Sequence, residues 1–363
     1  MYKVLMIGFG SVGKNLAVMM NEYSGRLAGM GLEFGVVGVF TRSRGNAADP
    51  GGLDTRKLID DISSHGRFTG PLVSVSPLEA CRDLDYDIMA ELSPLSIANR
   101  GEPAASHIAA ALRRGKHAVT ANKGPVAFAY PELSRLAHDN GCRFLFESTV
   151  MDGAPIFNLA DRCMKGNAIT GFSGILNSTT NYVLTRMESG ASMDEAVREA
   201  IEAGTAEADP SDDIDGWDAA AKASVLSRVL LGADVTPLDV RRSGIRDVTP
   251  EMISKAASRG RRLKLICRGR RTETGIDASV GVEEVASGDV LACLSSHDSG
   301  ISVESDLMAP IMIIQKNPTP RDTAFGVLED MISVIQGSQP GGRSGEAFLA
   351  LSRHNNAIRC RHP

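Results

Sequence analysis

Gly8, Gly10 and Gly13, with Ser11 and Val12 among them, follow the apolar run Lys3 to Ile7 and open a stretch of helical pattern from about Val12. Glycines at this spacing between a strand and a helix constrain the chain more than any other feature, because they set the turn and both elements beside it. Glycine permits a tight turn and close backbone approach, and free N–H groups at a helix start attract a pyrophosphate. A purely structural turn uses the same residues; the position after an apolar first strand favours dinucleotide binding by Gly8, Gly10, Ser11, Val12 and Gly13. Short β-rich runs then alternate with helical stretches: Phe34 to Phe40, Tyr86 to Leu92, His117 to Thr120 and Arg143 to Phe146. That alternation predicts an α/β fold, with a parallel, doubly wound sheet carrying helices on both faces over residues 1–150.

With 363 residues the chain is expected to form two domains, since one domain holds about 100–200. The boundary is placed near Glu147 to Pro155. Beyond it the texture changes to a strand, Ile169 to Leu176, then long helical patterns through Leu184 and Ala191 to Ala203, and a helix Trp217 to Leu231. Four β-like runs (Leu263 to Arg268, Ile276 to Val280, Ile301 to Ser305, Ile311 to Gln315) suggest a second open sheet, so residues 151–336 are expected to form an α+β domain. A helix over 324–336 belongs to that domain or packs back on the first. Residues 337–363 are expected to be a peripheral tail.

Composition removes whole classes of function. A net charge of -5 offers no basic footprint for nucleic acid. No run of about 18 apolar residues suggests a membrane span, and the first residues read as a strand, not a signal peptide. The six cysteines (Cys81, Cys142, Cys163, Cys267, Cys293, Cys360) have no paired spacing, which fits reduced thiols in a cytoplasm, chiefly as buried small side chains. Seven histidines are scattered without a partner at a usable spacing, so no catalytic histidine is expected.

At the nucleotide end, the second strand runs into Thr41-Arg42-Ser43-Arg44, where an NAD-preferring domain usually carries an acid for the ribose hydroxyls. Arg42 and Arg44, with Lys57 following, favour NADP over NAD by offering charge to a 2′-phosphate; solvated surface charge is the other reading. Leu92 and Ser93 follow a strand and lead to a polar turn, where a nicotinamide ribose lies in a doubly wound fold. Lys123, beside Asn122 and Gly124, stands just past another strand end at the ligand-binding rim.

The chemistry concentrates between Glu207 and Asp218, where six acids stand within a dozen residues broken by Pro210 and Gly216. Asp218 and Lys222, at i and i+4, share one helix face. A solvated pair of this kind contributes little. The helix around it is largely apolar through Ala219, Ala220, Ala223, Val225, Leu226, Val229 and Leu230, which points the pair into a cleft or partial burial.

This stretch resembles the signature of homoserine dehydrogenases, with Gly204, Glu207, Asp209-Pro210, Asp213, Gly216, Asp218 and Lys222 in matching positions. Further matching blocks are Gly8 to Gly13, Val119 to Lys123, Phe146 to Pro155 and Ile175 to Tyr182; the likeness weakens after Leu263. Thr205 stands where the family usually has an aromatic or large aliphatic residue, and Ser178 where it most often has glycine. The resemblance implies a Rossmann domain joined to an α+β catalytic domain and a homodimer, and the length is expected to leave no room for an appended kinase or amino-acid-sensing domain. It further implies NAD(P)-dependent interconversion of L-aspartate 4-semialdehyde and L-homoserine, with Lys123 and Lys222 flanking the reacting oxygen and Asp218 orienting Lys222. Glu207 and Asp213 would hold the substrate ammonium, with Thr180 and Gly204 also at the substrate, and Glu147, Val150 and Asp152 would match a monovalent cation site, usually sodium; a domain hinge that turns at Gly153 and Pro155 is the other reading of that segment, and the two are compatible. The physics agrees, since carboxylates complement an ammonium, and cations complement a carboxylate and a developing alkoxide. Two other readings stand beside this one: a different NAD(P)-dependent oxidoreductase of the same fold, and a catalytically silent nucleotide-sensing protein.

Overall fold

A computed structural model describes residues 1–337, so the tail expected from Gly337 lies, after its first residue, outside the described residues. The chain divides into two compact units, Met1–Pro155 with the chain from Thr319, and Ile156–Pro318. The first begins with β1 (Tyr2–Ile7), α1 (Ser11–Glu22), α2 (Ser24–Gly29), β2 (Phe34–Phe40), β3 (Asn46–Ala48), α3 (Thr55–His65) and α4 (Pro77–Asp83). It continues through β4 (Ile88–Glu91), α5 (Ala104–Arg113), β5 (His117–Thr120), α6 (Lys123–Asp139) and β6 (Phe144–Leu145). The sheet order is β3-β2-β1-β4-β5-β6; β1, β2, β4, β5 and β6 run parallel, and only the edge strand β3 is antiparallel. The expected doubly wound α/β sheet is present. Strand order reverses between β1 and β4, the switch point outside which such sheets bind ligands. Strands covered on both faces read as continuous apolar runs, and Val4, Leu5, Met6, Ile88, Met89 and Ala90 are all buried. Glu91 breaks that rule at the end of β4.

The second unit carries α7 (Ile156–Asn158), β7 (Ile169–Ile175), α8 (Ser178–Glu188), α9 (Met193–Glu202), α10 (Ser211–Ile214) and α11 (Trp217–Leu231). Then come β8 (Arg241–Arg242), α12 (Pro250–Ser258), β9 (Arg261–Thr272), β10 (Gly275–Ala286), α13 (Val290–Cys293), β11 (Ser299–Ser305) and β12 (Ile311–Gln315). Its sheet, in the order β12-β11-β7-β9-β10-β8, is antiparallel except at β8, and α8, α11 and α12 pack on β9. The helical pattern from Leu184 to Ala203 breaks at Gly190, whose φ of 98° belongs to the left-handed region. Ser192 then starts α9 with a reciprocal capping box to Glu195.

The chain returns to its first unit in α14 (Pro320–Gly337), whose Ala324, Val327, Leu328, Met331, Val334 and Ile335 join the same core as Val4, Met6, Leu16 and Val119. α14 also packs on the turn around Glu147: a Cβ on Gly153 would lie 2.6 Å from Asp322 O, and one on Gly326 would collide with Ser148 Oγ. Cys81, Cys142 and Cys267 are buried as expected, but Cys163 and Cys293 are exposed. Both exposed thiols stand at the last residue of short helical segments. Among the described residues, no helix is long and apolar enough to cross a membrane.

Candidate active site

Two clusters of expected site residues form, one in each unit. In the first, each glycine of the turn has its own physical reason. Gly8 has φ 105°, and a Cβ there would lie 2.5 Å from Leu92 O. At Gly13 a Cβ would lie 2.9 Å from Gly8 O, so this glycine lets α1 close on the strand. Gly10 is different: nothing stands within 4 Å of its would-be Cβ. It is the N-cap of α1, and no side-chain cap takes up the first N–H groups of the helix. That cradle has the chemistry a pyrophosphate needs. Leu92 and Ser93 lie beside it, their backbone bounding the Gly8 turn.

Of the three cations proposed for a 2′-phosphate, Arg42 and Lys57 are exposed. Arg44 is half-buried, and its Nη1 donates to Phe9 O at 2.7 Å, so it braces the glycine-rich turn. Lys123 is the first residue of α6, directly after Asn122, whose side chain caps the helix by accepting from Gly124 N. Glu147 and Val150 are buried, and Glu147 N donates to Asp330 Oδ2 at 2.8 Å. Asp152 takes φ 48°, and its carboxylate accepts from Thr323 Oγ1 at 2.7 Å.

The second cluster grows from two helix starts. Asn177 caps α8, its Oδ1 accepting from Thr180 N. Its Nδ2 then donates to Asp213 Oδ1 at 2.6 Å and to Asp218 Oδ2 at 2.9 Å. Asp218 lies 3.2 Å from Lys222 Nζ, which donates to Leu176 O at 2.6 Å; both side chains are 16% exposed on an otherwise buried helix. Burial, and then the neighbouring Asp218 carboxylate, raise Asp213 above its ordinary value, while Asn177, Lys222 and Thr179 act in the opposite direction. Beneath the helix, burial pushes the Cys267 thiol up to about 12, and its Sγ lies 3.7 Å from Ala219 O.

The rest of the acidic loop fastens this cluster. Asp215 pairs with Arg246 at 2.7 Å, Arg242 lies over the Trp217 ring at 3.7 Å, and Gly244 abuts Ile214 so closely that no side chain fits. Asp209 accepts from Ser211, and Glu207 and Gly204 are exposed outside the Asn177 cluster. Two of the six acids therefore face the lysine. Thr180 is buried with its hydroxyl on Asn177, whereas Thr179 bonds Asp213. Thr205 ties back to Ala200 O, and Ser178 simply begins α8. Asn177 and Thr179 went unassigned in the sequence, although Asn177 before a helix carries the ordinary N-cap signal.

The dinucleotide turn has a counterpart among known proteins: residues 8–147 match the family model described as homoserine dehydrogenase, NAD binding domain. The class defined is an NAD(P)-dependent oxidoreductase acting on a CH–OH group. Residues 155–332 match the model described as homoserine dehydrogenase, and the chain belongs to the homoserine dehydrogenase family. It is 37% identical over 340 residues to the NAD(+)-dependent homoserine dehydrogenase of Pseudomonas canavaninivorans, covering 92% of this chain and 96% of the relative. A putative homoserine dehydrogenase of Archaeoglobus fulgidus superposes with a TM-score of 0.82 at 30% identity, covering 91% of this chain and 98% of that one. A hyperthermophilic archaeal homoserine dehydrogenase in complex with NADPH superposes at 0.79 and 27% identity, covering 94% and 99%.

Proposed function

We propose that the protein interconverts L-aspartate 4-semialdehyde and L-homoserine, and that the Asn177-Asp213-Asp218-Lys222 cluster is the observation that carries this reading. Its two carboxylates suit an amino-acid ammonium, with Glu207, Gly204 and Thr180 as the other substrate residues and Thr179 beside them. Lys222, held by Asp218 and Leu176 O, gives the proton to the carbonyl oxygen during reduction and takes it back during oxidation, with Lys123 as the second cation. The nicotinamide, when bound, would supply the hydride to the carbonyl carbon or accept it from the alcohol carbon. Gly8, Gly10, Ser11, Val12 and Gly13 receive the pyrophosphate, and Leu92 and Ser93 the nicotinamide side. A complete lysine–carboxylate cluster argues against a silent nucleotide sensor.

We further read NADP as the preferred coenzyme through Arg42 and Lys57, with Arg44 holding the turn. The comparisons divide here, one relative being NAD(+)-dependent by name and one neighbour holding NADPH. A sodium ion at the turn of Glu147, Val150 and Asp152 is part of the same reading, since carboxylate and backbone oxygens suit a hard cation; there the Asp152 carboxylate also accepts from Thr323. A homodimer in the cytoplasm completes the reading. The test is oxidation of NADPH and of NADH at varied semialdehyde, with and without sodium. Turnover that favours NADPH is expected, and Arg42→Ala should raise the NADPH KM about tenfold while sparing NADH, the size of one charge-assisted hydrogen bond. Cofactor binding without turnover on this substrate would favour the sensing reading.

The raised Asp213 gives a pH dependence with a defined sign. Below its folded pKa the neutral acid no longer complements an ammonium, so the homoserine KM should rise as pH falls, at a higher pH than an ordinary aspartate would give. Because the folded value lies above the unfolded one, ionisation of Asp213 costs stability at neutral pH, and that cost is relieved as pH falls through the folded value. A pH series of kcat/KM checks this: Asp213→Asn should flatten the acid limb, and an unchanged limb would remove Asp213 from it.

A further inference from the structure

Glu91 ends β4 with 0% exposure, and a carboxylate withdrawn from water must find its partners in the protein. Oε1 accepts from Ser93 N at 2.9 Å and from Ser93 Oγ. Oε2 lies 3.0 Å from Nδ1 of His107, which is 5% exposed on α5; an ionised carboxylate only accepts, so Nδ1 donates. The connections continue across the rim of the sheet. Asn122 Nδ2 donates to Ser93 Oγ at 3.3 Å and to Pro94 O at 3.2 Å, while its Oδ1 accepts from Gly124 N at 2.9 Å at the start of the helix that opens with Lys123. Thr120 Oγ1 donates to Glu91 O at 2.9 Å. One connected set of bonds thus joins α5, the end of β4, residues 92–94 and the first turn of α6.

That set stands at the switch point. Ile7 and Glu91 are register partners, and the loop that Glu91 holds abuts the Gly8 turn. Fold stability alone does not call for it, since a well-packed apolar pair is often as stabilising as a buried ionic one.

We propose that Glu91 and His107 are positioning residues for the rim that faces the nicotinamide: His107 fixes Glu91, Glu91 fixes Ser93, and Ser93 with Asn122 fixes the start of the helix bearing Lys123. The proposal rests on the reading above in which Ser93 and Lys123 serve the cofactor and the reacting oxygen. His107→Phe keeps a ring but removes the donor; His107→Asn keeps a donor near the Nδ1 position. In the full-length protein, His107→Phe should lower kcat about 10–100-fold, the scale of a small misplacement, with NADPH Kd and semialdehyde KM within about threefold of the parent. The fluorescence of bound NADPH, which reports the nicotinamide surroundings, should shift toward that of free NADPH. His107→Asn should recover most of both. A folded His107→Phe protein with parental kcat and parental emission overturns the proposal, as does a kcat loss matched by an equal loss of NADPH affinity and not recovered by His107→Asn. Should His107→Phe fail to fold, Glu91→Gln is read by the same criteria. If the parent itself does not turn over the semialdehyde, the functional reading fails, and the bound-NADPH emission of the variants still decides the positioning role.

Discussion

Lys222→Ala is expected to lower kcat about a thousandfold while the protein still binds NADPH and melts near the parental temperature. The size follows from the role: a positioned proton-transfer group contributes about 10²–10⁴-fold. The separation of effects follows from the geometry. Lys222 and its acceptors Asp218 and Leu176 O all lie in the unit Ile156–Pro318, whereas the glycine-rich turn lies in Met1–Pro155. The substitution does strand part of Asp218, but Asn177 still donates to that carboxylate at 2.9 Å, so a severe folding defect is not expected. Stopped-flow hydride transfer alongside a fluorescence titration of NADPH separates the two quantities. Retained turnover in Lys222→Ala would remove the lysine from the chemistry.

The second large effect is expected at Gly8. Alanine there must adopt φ 105° and bring its Cβ to 2.5 Å from Leu92 O, a backbone atom that cannot swing aside. Strain of this kind costs about 1–3 kcal/mol, and the displaced loop carries Ser93, so nucleotide affinity should fall about a hundredfold together with the melting temperature. Gly10→Ala is the control. Its Cβ meets nothing within 4 Å, so the fold should be unaffected, yet the methyl would stand at the N-cap of α1, where the proposed reading brings the pyrophosphate. Calorimetry on both variants distinguishes the cases: affinity lost without stability at Gly10, and both lost at Gly8. A Gly8→Ala protein with parental stability would contradict the close contact with Leu92.

The parts legible in the sequence were those written in short-range pattern. GxGxxG after an apolar strand located the turn, alternating elements gave the doubly wound sheet, and the i, i+4 spacing of Asp218 and Lys222 put them on one face. What escaped was set by tertiary geometry. His107 finds Glu91 sixteen residues away across the α5–β4 packing, a partner that no local spacing announces. Thr179 and Thr180 are adjacent and chemically equal, and only the helix phase after Asn177 turns Thr179 to Asp213 and Thr180 back onto the cap. Likewise, Arg42 and Arg44 read alike as charges after β2, until the fold commits Arg44 to the Phe9 carbonyl.

Because α14 supplies Val327, Met331 and Val334 to the core that begins with Val4 and Met6, the nucleotide-binding unit is discontinuous in the chain. During synthesis its strands therefore leave the ribosome long before their last packing partner, whereas the unit Ile156–Pro318 is contiguous and complete as soon as Pro318 emerges. The order of maturation is then expected to be the reverse of the order of translation, the portion made second closing its core first. For the same reason, a fragment ending at Pro155 lacks the helix that packs on α1 and β5, and an isolated nucleotide-binding domain is expected to need α14 spliced onto it.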